Sequence, residues 1–451
     1  MNKKTDNVMI LAEEHIIRCG RQRDLYRRID GYCYSSKNLY NSANYLITQC
    51  SRISRKLKNG EILDSWEKGL AYRTNCAILH YNHSGKKVKQ LRYIDEHNGF
   101  IADAYFLSWY LKGTREYKAM PYAACAQICI QELCRAWRSF YRGMDAWKKG
   151  TAAMTAMPRR PGYKDRDRGR NALVLTYQNI RVDENGCVKL PSFLDGIHIR
   201  ARHKDIKQVR ILAEEGRIRI LLMYPARVPS RSGAGGTMGI DLGVDNLMTL
   251  CMDTEAEPVI INGRGVKSIN RSYNKRKALL QSAAKKANGK TMTGRIAKLT
   301  QKRNRKIRDC MHKASRKVIQ IAQKEGIGTI IIGNNRGWKQ KADMGNRTNQ
   351  AFVSIPYKML IDQIRYKAAL AGIEVKVVEE SYTSGTSYID GEFPCREAYD
   401  SRRRIKRGLF RSNNGLLINA DVNAAYQIMK KEGCTEIRYK GIERTVRLNV
   451  S

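Results

Sequence analysis

Three acidic positions in this chain stand where carboxylates do chemistry. Asp241 lies inside an apolar run, Met238-Gly-Ile-Asp-Leu-Gly-Val-Asp-Asn-Leu247. Glu379 and Glu380 close the run Val375-Lys-Val-Val378. Asp421 opens an apolar stretch, Asn419-Ala-Asp-Val-Asn-Ala-Ala-Tyr-Gln-Ile428. An acid in an apolar strand is costly unless it is paired or binds a metal. Hard divalent ions such as Mg²⁺ prefer oxygen ligands, and phosphodiester hydrolysis by two ions needs a bridging carboxylate with one or two more. Taken singly, each position has an ordinary explanation: a turn for Asp241, a solvated strand end for Glu379 and Glu380, a helix N-cap for Asp421. Their order along the chain, on elements that a mixed α/β domain can gather, favours the metal chemistry.

Those elements belong to a long, basic chain. Its 451 residues exceed one ordinary domain and suggest about three; 42% hydrophobic residues suffice for a core. Lys and Arg number 84 against 42 Asp and Glu, leaving a formal net charge of +42. Such repulsion calls for a polyanion, and nucleic acid is the obvious one. No apolar run approaches a membrane span, and Met1–Ile10 has no secretory pattern, so a cytoplasmic protein without a membrane partner is expected. The 12 cysteines form no Cys-x-x-Cys pair and read as reduced thiols; Cys125, Cys129 and Cys134 fit a packed helix.

Along the chain, Ile10-Leu-Ala and Ile16-Ile-Arg suggest strand pieces, and 31–150 reads as helical, with Leu39, Ala43, Leu46 and Ile47 at helix spacing. A basic break at Pro158-Arg-Arg-Pro-Gly-Tyr-Lys164 leads into short alternating runs over 171–227, the writing of a small barrel or sheet. Pro229–Gly236 is a linker. Residues 264–317 carry 19 Lys or Arg and one acid, Asp309. Self-repulsion along such helices is relieved when phosphates lie alongside. Trp338 is expected to pack.

Gly239–Leu247, Tyr382-Thr-Ser384 and Asn419–Ala425 resemble the RuvC-type nuclease motifs of the TnpB family, transposon-encoded RNA-guided DNA endonucleases closely similar to the compact type V CRISPR effectors. The resemblance spans about 238–430, and Pro158–Lys164 is similar to that family's link into its barrel. It implies a multidomain α+β fold: a helical recognition lobe at 31–150, a β-barrel wedge domain from 1–30 and 151–232, and an RNase H-like (RuvC) α/β nuclease domain. The last would comprise 237–382 with its basic helices, an insert at 383–417, and 418–451. It implies Asp241, Glu380 and Asp421 as catalytic and metal-holding residues for two Mg²⁺ ions, Mn²⁺ being an acceptable substitute. Asp245 and Asn423 would assist. The partners would be a guide RNA and a double-stranded DNA target with a short adjacent motif, on the nucleoid when bound to DNA. The basic residues Arg264, Lys267, Arg271, Arg276, Arg303 and Arg305 would line the heteroduplex.

The chain departs from the family pattern twice. The strand Ile330–Ile332, which carries the second acid in many members, runs here into Gly333-Asn-Asn335. A variant pattern puts that acid just before Tyr-Thr-Ser, which favours Glu380 with Glu379 as alternate. The family's two Cys-x-x-Cys pairs are also missing: 383–419 holds one cysteine, Cys395, and no histidine, so no zinc is expected. Arg396, Arg402, Arg403, Arg404, Lys406, Arg407 and Arg411 instead make a basic insert facing two acids, Glu397 and Asp400, and suited to target phosphates. The missing acid admits a nuclease-dead RNA-guided DNA-binding repressor as an alternative, and the carboxylates alone also admit a protein-only transposase.

Overall fold

The computed structural model describes residues 8–18, 23–84, 90–150, 156–214, 217–230, 235–334, 354–406, 408–434 and 444–450. Trp338 and Arg407 lie outside them. The chain divides into two compact units, Ile10–Pro225 and Met1–Met9 with Ala226–Ser451, and its secondary structure is mixed α+β. Among the described residues no helix is long and apolar enough to cross a membrane.

In the first unit, β1 (Val8–Arg18) alternates exposed and half-buried residues along its whole length, the period of a strand with one covered face. The two expected pieces are therefore one strand. Helix α1 (Arg23–Lys58) starts earlier than the periodicity suggested. Its first buried residues, Leu25, Ile29 and Cys33, sit among charges that mask the pattern. Helices α2 (Ser65–Asn82), α3 (Ala104–Leu111), α4 (Arg115–Lys118) and α5 (Ala123–Lys148) follow. Cys125, Cys129 and Cys134 are buried on α5, and Trp137 donates its indole N–H to Asn44 in the core. The stretch after Pro158 is held on α1 through its carbonyls: Asn44 donates to Pro161 O and Asn41 to Lys164 O. Strands β2 (Leu173–Thr176), β3 (Arg181–Val182), β4 (Cys187–Lys189), β5 (His198–Arg200), β6 (Gln208–Glu214) and β7 (Arg217–Arg227) form two sheets, ordered β1-β7-β6-β2 and β3-β4-β5.

The second unit is built on a mixed sheet of β8 (Gly236–Leu242), β9 (Asn246–Met252), β10 (Val259–Asn262), β11 (Ile327–Gly333), β12 (Glu374–Val378) and β16 (Val446–Leu448), ordered β12-β11-β8-β9-β10-β16. β8, β11 and β12 run parallel, whereas β9 is antiparallel to β8 and β10. The basic stretch is the helix pair α6 (Arg264–Asn288) and α7 (Gly294–Lys324). Its apolar positions Ile296, Ile307 and Val318 are buried, but Leu279 is 65% exposed. α7 and α8 (Tyr357–Leu370) bury one sheet face with Met238, Ile240 and Leu242. Helix α9 (Ala420–Lys431) contributes to a second core with Cys251, Phe410 and Ile418. Between β12 and α9 lies a small antiparallel sheet of β13 (Arg404–Lys406), β14 (Leu409–Arg411) and β15 (Leu417–Asn419).

Candidate active site

Strand alternation decides where Asp241 points. Residues 238, 240 and 242 fill the core under α7 and α8, so 239 and 241 share the opposite face, towards α9. Gly239 lets that helix come close. A Cβ there would stand 2.4 Å from the carbonyl oxygen of Ala425 and 2.5 Å from Met429 Cγ. The N-terminus of α9 is capped by Asn419, whose side-chain oxygen accepts from the amides of Asp421 and Val422. The cap is thus not Asp421, whose carboxylate is left to face outward beside Asp241.

The third acid comes from the end of β12. Glu380 is 9% exposed, whereas Glu379 is solvent-facing, accepts from the Ser381 hydroxyl and stands 4.0 Å from Lys431. Gly333, the residue that ends β11 where an acid was missing, makes room for Glu380: a Cβ at 333 would sit 2.7 Å from Glu380 Oε2 and 2.4 Å from Ile428 Cδ1. The acid absent from one strand is thus matched by a carboxylate reaching over from its parallel neighbour.

Asp241, Glu380 and Asp421 line one cleft of about 1140 Å³. Burial pushes the Asp241 carboxyl well above the usual range, and the charges of Asp421 and Glu380 push it further. Burial also raises Glu380 to about 7, against a small opposing pull from Lys431. Its Oε2 is buried and has no hydrogen-bond partner among the described residues. Both oxygens of Asp421 are engaged: Asn246 donates to one at 2.7 Å, and an Arg404 guanidinium nitrogen stands 3.6 Å from the other. Tyr357 is buried beneath the cleft and donates its hydroxyl to Gly243 O. Desolvation first, then Asp241 and Glu380, keeps that phenol protonated. None of the seven histidines lines the cleft.

The expected basic residues have unlike surroundings. Arg264, Arg404 and Lys406 line the cleft, and Arg447 on β16 joins them. Nothing in the sequence singled out Arg447; a three-residue strand carries no readable period, and its parallel pairing with β10 is what brings it there. Lys267 is paired with Asp245 at 2.7 Å. Arg271 and Arg276 are exposed on α6, and Arg305 is half-buried on α7. Arg303 is half-buried and donates to Asn270 and to the Ser354 carbonyl, which fastens the helix pair. On the insert, Arg402 pairs with Asp400 and Arg403 with Glu392. Asn423 is wholly buried away from the cleft, where it accepts from Tyr388 N and donates to Thr386 O.

Two family models match this chain. The OrfB_IS605 "Probable transposase" model matches residues 223–339, and the "Cas12f1-like, TNB domain" model matches 357–428. A CRISPR-associated endodeoxyribonuclease Cas12f1 of Sulfoacidibacillus thermotolerans is 30% identical over 201 residues, 42% of this chain and 44% of that protein. Its namesake from Syntrophomonas palmitatica is 23% identical over 241 residues, 47% of each. The matches therefore span under half the length of these curated relatives. A solved structure titled "Cryo-EM structure of the Cas12f1-sgRNA-target DNA complex" aligns over 94% of this chain and 100% of that one. At 15% identity and a TM-score of 0.36, that likeness is too loose to fix the fold. The segments Gly239–Leu247, Tyr382–Ser384 and Asn419–Ala425 lie within the matched stretches, so the resemblance they carry is supported there: over about 223–428 this chain is similar to the TnpB-type transposase model and to Cas12f1.

Proposed function

We propose that the chain is an RNA-guided DNA endonuclease, with Asp241, Glu380 and Asp421 as its catalytic carboxylates. The observation that carries this reading is an acidic floor in a basic frame: three acids from separate elements line one cleft that Arg264, Arg404, Lys406 and Arg447 border. The names of the curated relatives support nuclease activity. The net charge of +42 supports a nucleic-acid partner.

The residues fit hard divalent cations. Burial raises the pKa of both Asp241 and Glu380, the charges of Asp421 and Glu380 raise Asp241 further, and one buried Glu380 oxygen has no donor, a combination that a cation relieves. Among the described residues no three carboxylate, imidazole or thiol groups stand close enough together to hold a single ion. The Arg404 guanidinium, 3.6 Å from Asp421, is the basic group that shares that carboxylate. Two Mg²⁺ ions bound there would supply water activation and stabilisation of the leaving oxygen. Asp241, Glu380 and Asp421 would hold the ions, with Glu380 in its ionised form. Arg264, Arg404, Lys406 and Arg447 bind the phosphates flanking the scissile bond and set its orientation. Tyr357 keeps its proton and fixes the turn at Gly243, so it is no general base.

The rest of the chain fits this reading in outline. The nuclease domain, 237–382 and 418–451, is RNase H-like, with α6 and α7 along the guide–target heteroduplex and 383–417 as a target-binding insert without zinc. The helices of 31–150 form the recognition lobe, and 1–30 with 151–232 the wedge. Base pairing would supply sequence specificity and the protein would read A-form shape. The protein acts in the cytoplasm, on the nucleoid.

Asp241→Ala tests the assignment. The variant, loaded with its guide, is expected to lose Mg²⁺-dependent cutting and to keep guide-directed binding of target DNA; retained cutting refutes it. The transposase reading, favoured by the description of the OrfB_IS605 model, is separated by the RNA that co-purifies when the gene is expressed with its native flanks. A discrete RNA with a fixed scaffold and a variable end establishes guidance. Degraded bulk RNA alone points to a protein-only transposase.

A further inference from the structure

Two tyrosines line the cleft beside the carboxylates, and neither acids nor bases account for them. Tyr382 and Tyr399 are each 41% exposed, with ring centroids 5.9 Å apart at 71°. Tyr382 sits two residues after Glu380 with φ at +67°, a left-handed backbone that a bulky residue rarely adopts. Such strain persists only where the surroundings impose it, and it gathers at sites that use it. Here the turn is fastened on both sides. Thr383 donates its hydroxyl to Glu380 O at 2.8 Å, and Thr386 donates its own to Tyr382 O at 2.9 Å.

Tyr399 has a built seat as well. Its ring lies against Gly385, where a Cβ would stand 2.5 Å from a ring carbon, and the Asp400 amide donates to Gly385 O. A strained turn and a glycine contact thus hold two half-exposed rings edge-to-face at the rim of an acidic cleft. A folding core would bury such rings, and a purely electrostatic channel has no use for them.

We infer that Tyr382 and Tyr399 form a base-stacking subsite that takes an unpaired nucleobase next to the phosphate held over the carboxylates. The inference rests on the nuclease reading for what that phosphate undergoes, but not for the stacking itself. Every base offers a π-face, so the subsite is indifferent to sequence and worth roughly 5- to 150-fold per base. It does discriminate strandedness: a base still paired and stacked in a duplex cannot enter. Stacking therefore selects the single strand and fixes its register against Asp241, Glu380 and Asp421.

The test uses the full-length chain loaded with its guide. In an Asp241→Ala background, a single-stranded oligo-dT probe carrying one 5-iodouracil is irradiated and the cross-linked peptide mapped. The expected adduct is at Tyr382. It should vanish in Tyr382→Gly, which suits the left-handed backbone and removes only the ring, and persist in Tyr382→Phe. With Asp241 intact, Tyr382→Gly should slow cutting of an intact single strand roughly 10-fold, and Tyr382→Phe should restore it. The glycine variant should cut no more slowly than wild type a strand made abasic at the stacked position. Adducts mapping outside 382–399, or equal sensitivity of wild type and Tyr382→Gly to the missing base, overturn the subsite. If the wild-type chain cuts nothing, the nuclease reading falls, and the cross-link in the Asp241→Ala background still decides the stacking.

Discussion

Replacing Gly333 by Ala probes the niche that seats Glu380. The backbone does not need glycine there, since its φ lies outside the left-handed region; only space is at issue. The new methyl would stand 2.7 Å from Glu380 Oε2 and 2.4 Å from Ile428 Cδ1, against an ordinary contact of 3.4–4 Å, so both neighbours must retreat by roughly 1 Å. Overpacking of this kind costs about 1–3 kcal/mol, or roughly 2–12 °C in Tm for a unit of this size. A 1 Å displacement of a catalytic group costs about 100-fold in rate. Ile428→Val removes the methyl group responsible for the closer clash and leaves the carboxylate clash in place. Gly333→Ala with Ile428→Val should therefore recover most of the lost stability, read by thermal unfolding, without recovering cutting, read as single-turnover cleavage of a labelled target by the guide-loaded protein. Recovery of both together, or full activity of Gly333→Ala itself, would refute the idea that Gly333 exists to seat Glu380.

Three further expectations follow from the same geometry. Burial holds Glu380 at about 7, against an ordinary 4.5, so in metal-free buffer the folded state keeps a proton that the unfolded chain has lost between those pH values. Stability from this group is greatest below 4.5, falls as pH rises, and is about 3 kcal/mol lower above 7. In EDTA, Glu380→Gln should accordingly raise Tm at pH 8 and leave it unchanged at pH 4, while losing most of the Tm increase that Mg²⁺ gives the wild type; an equal gain at both pH values contradicts the burial argument. Arg404→Ala breaks a half-exposed pair at 3.6 Å and should alter stability by less than about 1 kcal/mol while cutting falls roughly 10-fold, a stability–activity split that one chevron or melt and one cleavage assay decide. Asn423→Ala orphans Tyr388 N and Thr386 O in the core and should cost about 2–4 kcal/mol by denaturant unfolding, with activity per folded molecule little changed.

How much of this a reader of the sequence can reach depends on the range over which each signal acts. Asp241 was visible because an acid in an apolar strand is anomalous over five residues, and Asp421 because it opens an apolar helix. The strands of 171–227 announced themselves by alternation. Local signals stop there. Glu379 and Glu380 are adjacent and equally acidic. What separates their surroundings is a glycine on a neighbouring parallel strand, and pairing across β11 and β12 leaves no trace in either segment alone. Arg447 is invisible for the same reason, since its place at the cleft depends on β10. Arg303 was hidden by its company: in a run of 19 bases, charge alone cannot mark the one whose donors hold Asn270 and Ser354 in place. Asn423 was expected to assist as part of the resembling motif, yet it stands two residues from Asp421, a spacing that on a helix turns a side chain to another face, and its amide went to the core. The acid Asp421 and the structural amide Asn423 are thus neighbours in sequence only. A motif read as a string joins them, and the helical period assigns one to the cleft and the other to the scaffold that shapes it.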